Sequence, residues 1–150
     1  MHYDGAELKL SPMTFIEASI QILRENKYKI TGPRMAVLNV LESAKVPLSA
    51  YDIEEHVPEN IPINVVTIYR VLDVFETLNI IHKVHTKEGY VRCDFEQQKG
   101  CHSFAICNKC GRADEFIQEK CDLKSTLPKK LAYKSLSHIS ELSGVCEQCA

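Results

Sequence analysis

Four of the seven cysteines in this chain fall into two CxxC pairs, Cys107-Asn108-Lys109-Cys110 and Cys146-Glu147-Gln148-Cys149. Two thiolates separated by two residues can grip one ion from a single tight turn. Two such pairs complete the closed four-sulfur shell that Zn2+ prefers. The 35 residues between Cys110 and Cys146 exceed the roughly 15–20 of a simple zinc ribbon. The ion is therefore expected to clamp the start and end of a small domain. An odd cysteine count, and an amino terminus carrying acids rather than a basic-apolar leader, argue against disulfides and for a cytoplasmic protein.

With 150 residues, 45% of them hydrophobic, the chain can build one core or two small ones. No run approaches the ~20 apolar residues of a membrane span. Net charge is −2, with the acidic excess lying before Tyr90. A polyanion partner would have to be met by local basic patches rather than by overall charge.

Ser11-Pro12 reads as N-cap and first helical residue, and Ile16, Ile20 and Leu23 recur at helical spacing to about Asn26. Thr31-Gly32-Pro33 opens a second helix with Val37, Val40 and Leu41 inward. Ser49 and Asp52 form a capping-box variant for a third, ending before Pro58. Asn64 caps a fourth, from Val65 to about Leu78, with Val65, Ile68, Leu72 and Phe75 inward. The period then changes: residues 80–86 and 90–95 read as strands joined across Lys87-Glu88-Gly89, with the glycine supplying the turn. Helices followed by a hairpin is the order of a winged helix, with the fourth helix for recognition. The polar stretch 96–100 is the expected hinge between a 1–95 DNA-binding domain and a 101–150 domain. Beyond it, residues 103–107 and 112–117 read as strands, 121–133 as a helix strained by Pro128, and 138–145 as a last strand.

On the fourth helix Thr67, Tyr69 and Arg70 fall away from the apolar stripe. Arginine forks onto guanine in the major groove, and tyrosine and threonine meet phosphates or thymine methyls. A second basic cluster, Arg24, Lys27, Lys29 and Arg34, surrounds the turn between the first two helices, where it could sit on phosphates. A redox enzyme using its CxxC thiols would want one exposed CxxC at a helix start beside a βαβ pattern. This chain has two pairs and no such pattern, so no enzyme is expected.

Thr31-Gly32-Pro33-Arg34, Thr67-Ile68-Tyr69-Arg70-Val71-Leu72 and the paired CxxC motifs, in this order and spacing, resemble the Fur family of metal-responsive repressors over residues 14–149. The resemblance implies an α+β protein, an N-terminal winged helix followed by a small α/β dimerisation domain. It also implies a homodimer that binds A/T-rich inverted repeats in double-stranded DNA when loaded with metal. Tyr51, in Ser-Ala-Tyr-Asp, is similar to a DNA-contacting turn of zinc-sensing members, and Arg70 to the family's recognition-helix arginine. His102 and Glu115 match regulatory ligands. With His82 and Cys93, which flank the wing turn, they would make one site bridging the two domains. A four-residue loop from Thr86 to Gly89 would set His82 and Cys93 directly opposite; another register makes them diagonal neighbours. The thiolate of Cys93 favours Zn2+ over Fe2+, and the segment looks like the zinc uptake regulator branch of the family, with iron- and peroxide-responsive members as the alternative. A further metal site would draw on Cys101, Cys121, Asp122 and His138, but Ser103 stands where that site would need a better ligand.

Overall fold

The computed structural model describes residues 12–94, 100–119, 122–134 and 138–150. Four helices come first. α1 (Phe15–Glu25) is capped by Thr14, whose hydroxyl accepts the Glu17 N–H while the Glu17 carboxylate accepts the Thr14 N–H. Ser11, expected at that position, lies outside the described residues, and the reciprocal box at Thr14 and Glu17 sets the start three residues later. The helix closes with Lys27 at φ 62° and the Tyr28 N–H on the Leu23 carbonyl at 2.8 Å, a left-handed C-terminal turn.

The other three starts stand where the sequence places them. Thr31 caps α2 (Gly32–Ser43), Ser49 and Asp52 form a reciprocal box on α3 (Ala50–His56), and Asn64 caps α4 (Val65–Thr77) through the Thr67 N–H. Leu23, Val37, Leu41, Ile53, Ile68, Leu72 and Phe75 are wholly buried where the helices meet.

Strands β1 (Ile81–Val84) and β2 (Gly89–Arg92) form the antiparallel wing, with Ile81 opposite Arg92 and His82 opposite Val91. His82 and Cys93 are therefore diagonal, and the directly opposed register is excluded. The turn also differs from expectation. Residues His85–Lys87 make a single 3-10 turn, and Glu88, not glycine, takes the left-handed conformation at φ 49°. Gly89 serves another purpose: a Cβ there would lie 2.8 Å from the Pro47 carbonyl carbon. This close approach lets Leu48 and Tyr90 exchange backbone hydrogen bonds of 3.0 and 2.7 Å, adding a short third rung to the wing.

A second sheet has the order β4-β3-β5. β3 (Cys101–Cys107) pairs antiparallel with β4 (Ala113–Gln118) and parallel with β5 (Ser140–Gly144). The parallel return needs a long connection. Its described part holds a 3-10 turn at Leu123–Thr126 and a turn from Pro128 to Leu131, not the α-helix expected over 121–133. Pro128 has no N–H to continue a helix. Asp122 closes its own turn, its carboxylate taking the Ser125 N–H and its carbonyl the Ser125 hydroxyl. Alternation along β3 turns His102, Phe104 and Ile106 to one face and Ser103 and Ala105 to the other. On the first face Val84 of the wing packs with Phe104 and Ile106 in a second, smaller core. Among the described residues no helix is long and apolar enough to cross a membrane.

Candidate metal centres and helical face

The β3–β4 turn and the last residues of the chain bring Cys107, Cys110, Cys146 and Cys149 together, with all four sulfurs within 4.8 Å of one another. Cys110 Sγ lies 3.8 Å from Cys146 Sγ, and the Cys146 N–H donates to Cys107 Sγ at 3.4 Å. Backbone N–H groups of Cys146, Cys110 and Lys109 lower the Cys107 thiol to about 5. The sulfurs of Cys146 and Cys110 that the Cys149 thiol hydrogen-bonds push it up to about 12. Gly111, at φ 77°, turns the chain just past the first pair, a conformation that glycine adopts without strain. Lys109 Nζ reaches across to the Cys149 carbonyl at 2.9 Å and ties one turn to the other.

The second cluster spans the wing and the sheet. His82 projects from β1, Cys93 follows β2, His102 lies on β3 and Glu115 on β4, and their ligand atoms also fall within 4.8 Å of one another. Glu115 Oε1 stands 2.5 Å from His102 Nδ1, 3.2 Å from His82 Nε2 and 3.5 Å from Cys93 Sγ. The Asp94 N–H holds Glu115 Oε2 at 2.8 Å. Burial pushes the Glu115 carboxyl up, but the adjacent imidazoles of His82 and His102 and the Asp94 amide N–H outweigh it and hold the pKa at about 2.

A metal fits this donor set. His82 Nε2 is buried and, although close to Glu115, makes no hydrogen bond among the described residues. A buried imidazole nitrogen without a hydrogen bond is costly, and coordination would satisfy it. Zn–N and Zn–S bonds of 2.0–2.3 Å set tetrahedral ligand atoms about 3.3–3.8 Å apart, which small side-chain movements here can reach.

Of the further combination suggested by the sequence, three members fall among the described residues. Cys101 begins β3, His138 precedes β5 and Asp122 is occupied with the Ser125 turn. Cys121 lies outside the described residues. Ser103 Oγ is buried and has no hydrogen-bond partner among the described residues.

On α4, Tyr69 is 42% exposed and Arg70 is also exposed, whereas Thr67 is half-buried. Val66, which the sequence reading passed over, is 56% exposed and shares their face at i, i+3 and i+4. Its signal was a β-branched residue outside the apolar stripe. Tyr51 stands 61% exposed in the first turn of α3. Lys29 is exposed, while Arg34 donates to the Lys29 carbonyl and stacks on Tyr28 at 5.2 Å, so part of its guanidinium orders the α1–α2 turn. Sequence reasoning also missed the Asp94 amide beneath Glu115 and the role of Glu141 on β5. Neither carries a motif, and both are visible only once the sheet is docked on the wing.

A winged helix joined to a small sheet through clustered metal-ligand side chains defines the class of metal-responsive transcription regulators, not of enzymes. The chain belongs to the Ferric uptake regulator family, whose model matches residues 25–142. It is 33% identical over 136 residues to the ferric uptake regulation protein of Neisseria meningitidis serogroup C, covering 88% of this chain and 93% of that one. It is 27% identical over 144 residues to the zinc uptake regulation protein of Escherichia coli K12, covering 94% and 84%. Among solved structures, a zinc uptake regulator complexed with zinc and DNA superposes with a TM-score of 0.80 at 28% identity, over 91% of this chain and 95% of that one. Holo XcZur superposes at 0.75 and 27%, over 90% and 96%.

Proposed function

We propose that this chain is a zinc-dependent transcriptional repressor that binds A/T-rich inverted-repeat operators as a homodimer and controls zinc uptake genes. The observation that carries the reading is Cys93 Sγ meeting two imidazoles and Glu115 in one cluster that joins wing to sheet. A thiolate with two nitrogens and one carboxylate suits Zn2+ better than Fe2+, which takes harder ligands in greater number. The likeness to a zinc uptake regulator complexed with zinc and DNA supports it.

In this reading Cys107, Cys110, Cys146 and Cys149 hold one structural zinc per chain, and His82, Cys93, His102 and Glu115 hold one regulatory zinc. Zn2+ supplies a cross-link between wing and sheet, and the ligands' own elements set the orientation of α4. Arg70, Thr67 and Tyr69 enter the major groove, while Lys29, Arg34 and Tyr51 contact the backbone beside it. Two copies join through the sheet face turned away from the wing, where Ala105 and Leu142 lie exposed beside an open groove of about 360 Å³.

An iron- or peroxide-responsive regulator is the second reading, favoured by the higher identity to ferric uptake regulation proteins. One experiment separates the two. The metal content of purified protein is measured, and duplex selected from a random pool is then titrated with Zn2+ and with Fe2+. Two zinc ions per chain and retention of DNA at far lower Zn2+ than Fe2+ are expected. Cys93→Ser should keep one zinc and lose retention at that Zn2+ level. Retention driven equally well by Fe2+, or unchanged in Cys93→Ser, would overturn the zinc reading.

A further inference from the structure

The face of the three-stranded sheet that meets the wing carries two carboxylates, one on either side of Phe104. The register puts Glu115 of β4 and Glu141 of β5 each opposite Phe104 of β3, two strand spacings apart, or roughly 9–10 Å. Glu115 belongs to the ligand cluster. Glu141 does not: its two oxygens accept the His85 N–H at 2.5 Å and the Thr86 N–H at 3.1 Å.

Those amides open the 3-10 turn at the tip of the wing. The residue at its N-cap is Val84, which has no side-chain acceptor to offer, so the turn's first donors would go unmet. The missing cap comes from a different domain, more than fifty positions along the chain. Between the two acids, buried Val84 packs with Phe104 and Ile106. β1 thus runs across the sheet strand by strand, His82 over Glu115, Val84 on Phe104, and His85 and Thr86 on Glu141.

We infer that Glu141 is a positioning residue that latches the wing tip to the sheet without a metal, so that an ion at the opposite end completes a two-point clamp. Both ties act on one docked arrangement. An ion that binds only the docked form has an apparent affinity scaled by the fraction docked, and the latch raises that fraction. The affinity part rests on the regulatory role proposed for the His82 cluster; the latch itself does not.

The test uses full-length protein with the four-cysteine ion retained and the other site emptied by a mild chelator. Amide exchange is followed at His85 and Thr86. Both should be protected without added zinc. In Glu141→Ala they should exchange at least about 10-fold faster, with Leu48 and Tyr90 unchanged, and Glu141→Gln, which keeps one acceptor oxygen, should fall between. Competition titration should then show the second zinc bound about 5-fold or more weakly in Glu141→Ala, with two sites still filled at saturation. Rapid exchange of both amides in the parent would overturn the latch whatever the metal does, and equal zinc affinities would overturn the clamp. Protected amides in a protein that binds no zinc at the His82 cluster would keep the latch and sink the regulatory reading instead.

Discussion

Glu115 concentrates the residue-scale chemistry, because one buried carboxylate meets two imidazoles, a thiol and a backbone N–H. Its pKa of about 2 lies below the ordinary 4.5. A carboxyl depressed by folding adds stability above its unfolded value and loses it as pH falls toward the folded one. The contribution is on the order of 3 kcal/mol in the metal-free state. Urea midpoints of chelated protein should therefore drop from pH 5 to pH 3, and Glu115→Gln should flatten that drop while lowering the plateau at pH 7. An equally steep decline in Glu115→Gln would place the acid sensitivity elsewhere. Cys93 tests the same cluster from the wing side. Cys93→Ser should raise the zinc needed for DNA retention beyond the roughly 10–100-fold typical of losing a ligand's hydrogen-bond partner, with the four-cysteine zinc retained.

At the scale of elements, Gly111 and Gly89 act by different physics. Gly111 holds φ 77°, and a Cβ there would meet only an ordinary contact with Val46 at 3.9 Å, so Gly111→Ala brings backbone strain of about 1–2 kcal/mol and should speed loss of the four-cysteine zinc to a chelator. Gly89→Ala meets Pro47 backbone instead. It should lower thermal stability by about 1–3 kcal/mol while leaving that zinc in place. Arg70→Ala should lower affinity for a selected operator by about 1–3 kcal/mol without loss of zinc. Lys29→Ala should weaken all duplexes alike and flatten the salt dependence. The same elements mark how far the sequence can be read. Thr31, Ser49 with Asp52, and Asn64 announced their helices because a cap is a local bargain between one side chain and the next turn. The helix expected over 121–133 did not form in its described part, since Pro128 and the Asp122 turn outweigh a faint apolar period. His82, Cys93, His102 and Glu115 could be grouped only through the family resemblance, because their meeting depends on docking two sheets. Glu141 lies in a short polar strand and gave no sign of its role.

For the molecule as a whole, the decisive surface is the one the wing leaves uncovered. The small sheet buries one face under Val84 and the ligand cluster, while Leu142 stands 59% exposed on the other, beside Ala105. Exposed apolar side chains on an uncovered sheet face suit a partner, and in the proposed homodimer a second copy would supply it with twofold symmetry. That symmetry would present two α4 helices at half-sites about 34 Å apart or a multiple of that. Leu142→Arg places a charge in the middle of the face but touches neither cluster. By sedimentation at micromolar concentration the variant should run as a monomer while the parent runs as a dimer, and both should carry the same zinc per chain. Operator retention should fall by far more than the loss from Arg70→Ala, because one half-site contact is surrendered along with its coupling to the other. A Leu142→Arg protein that stays dimeric would move the interface off this sheet. A monomer that still holds the operator as tightly as the parent would mean that the paired half-sites are not what the protein reads.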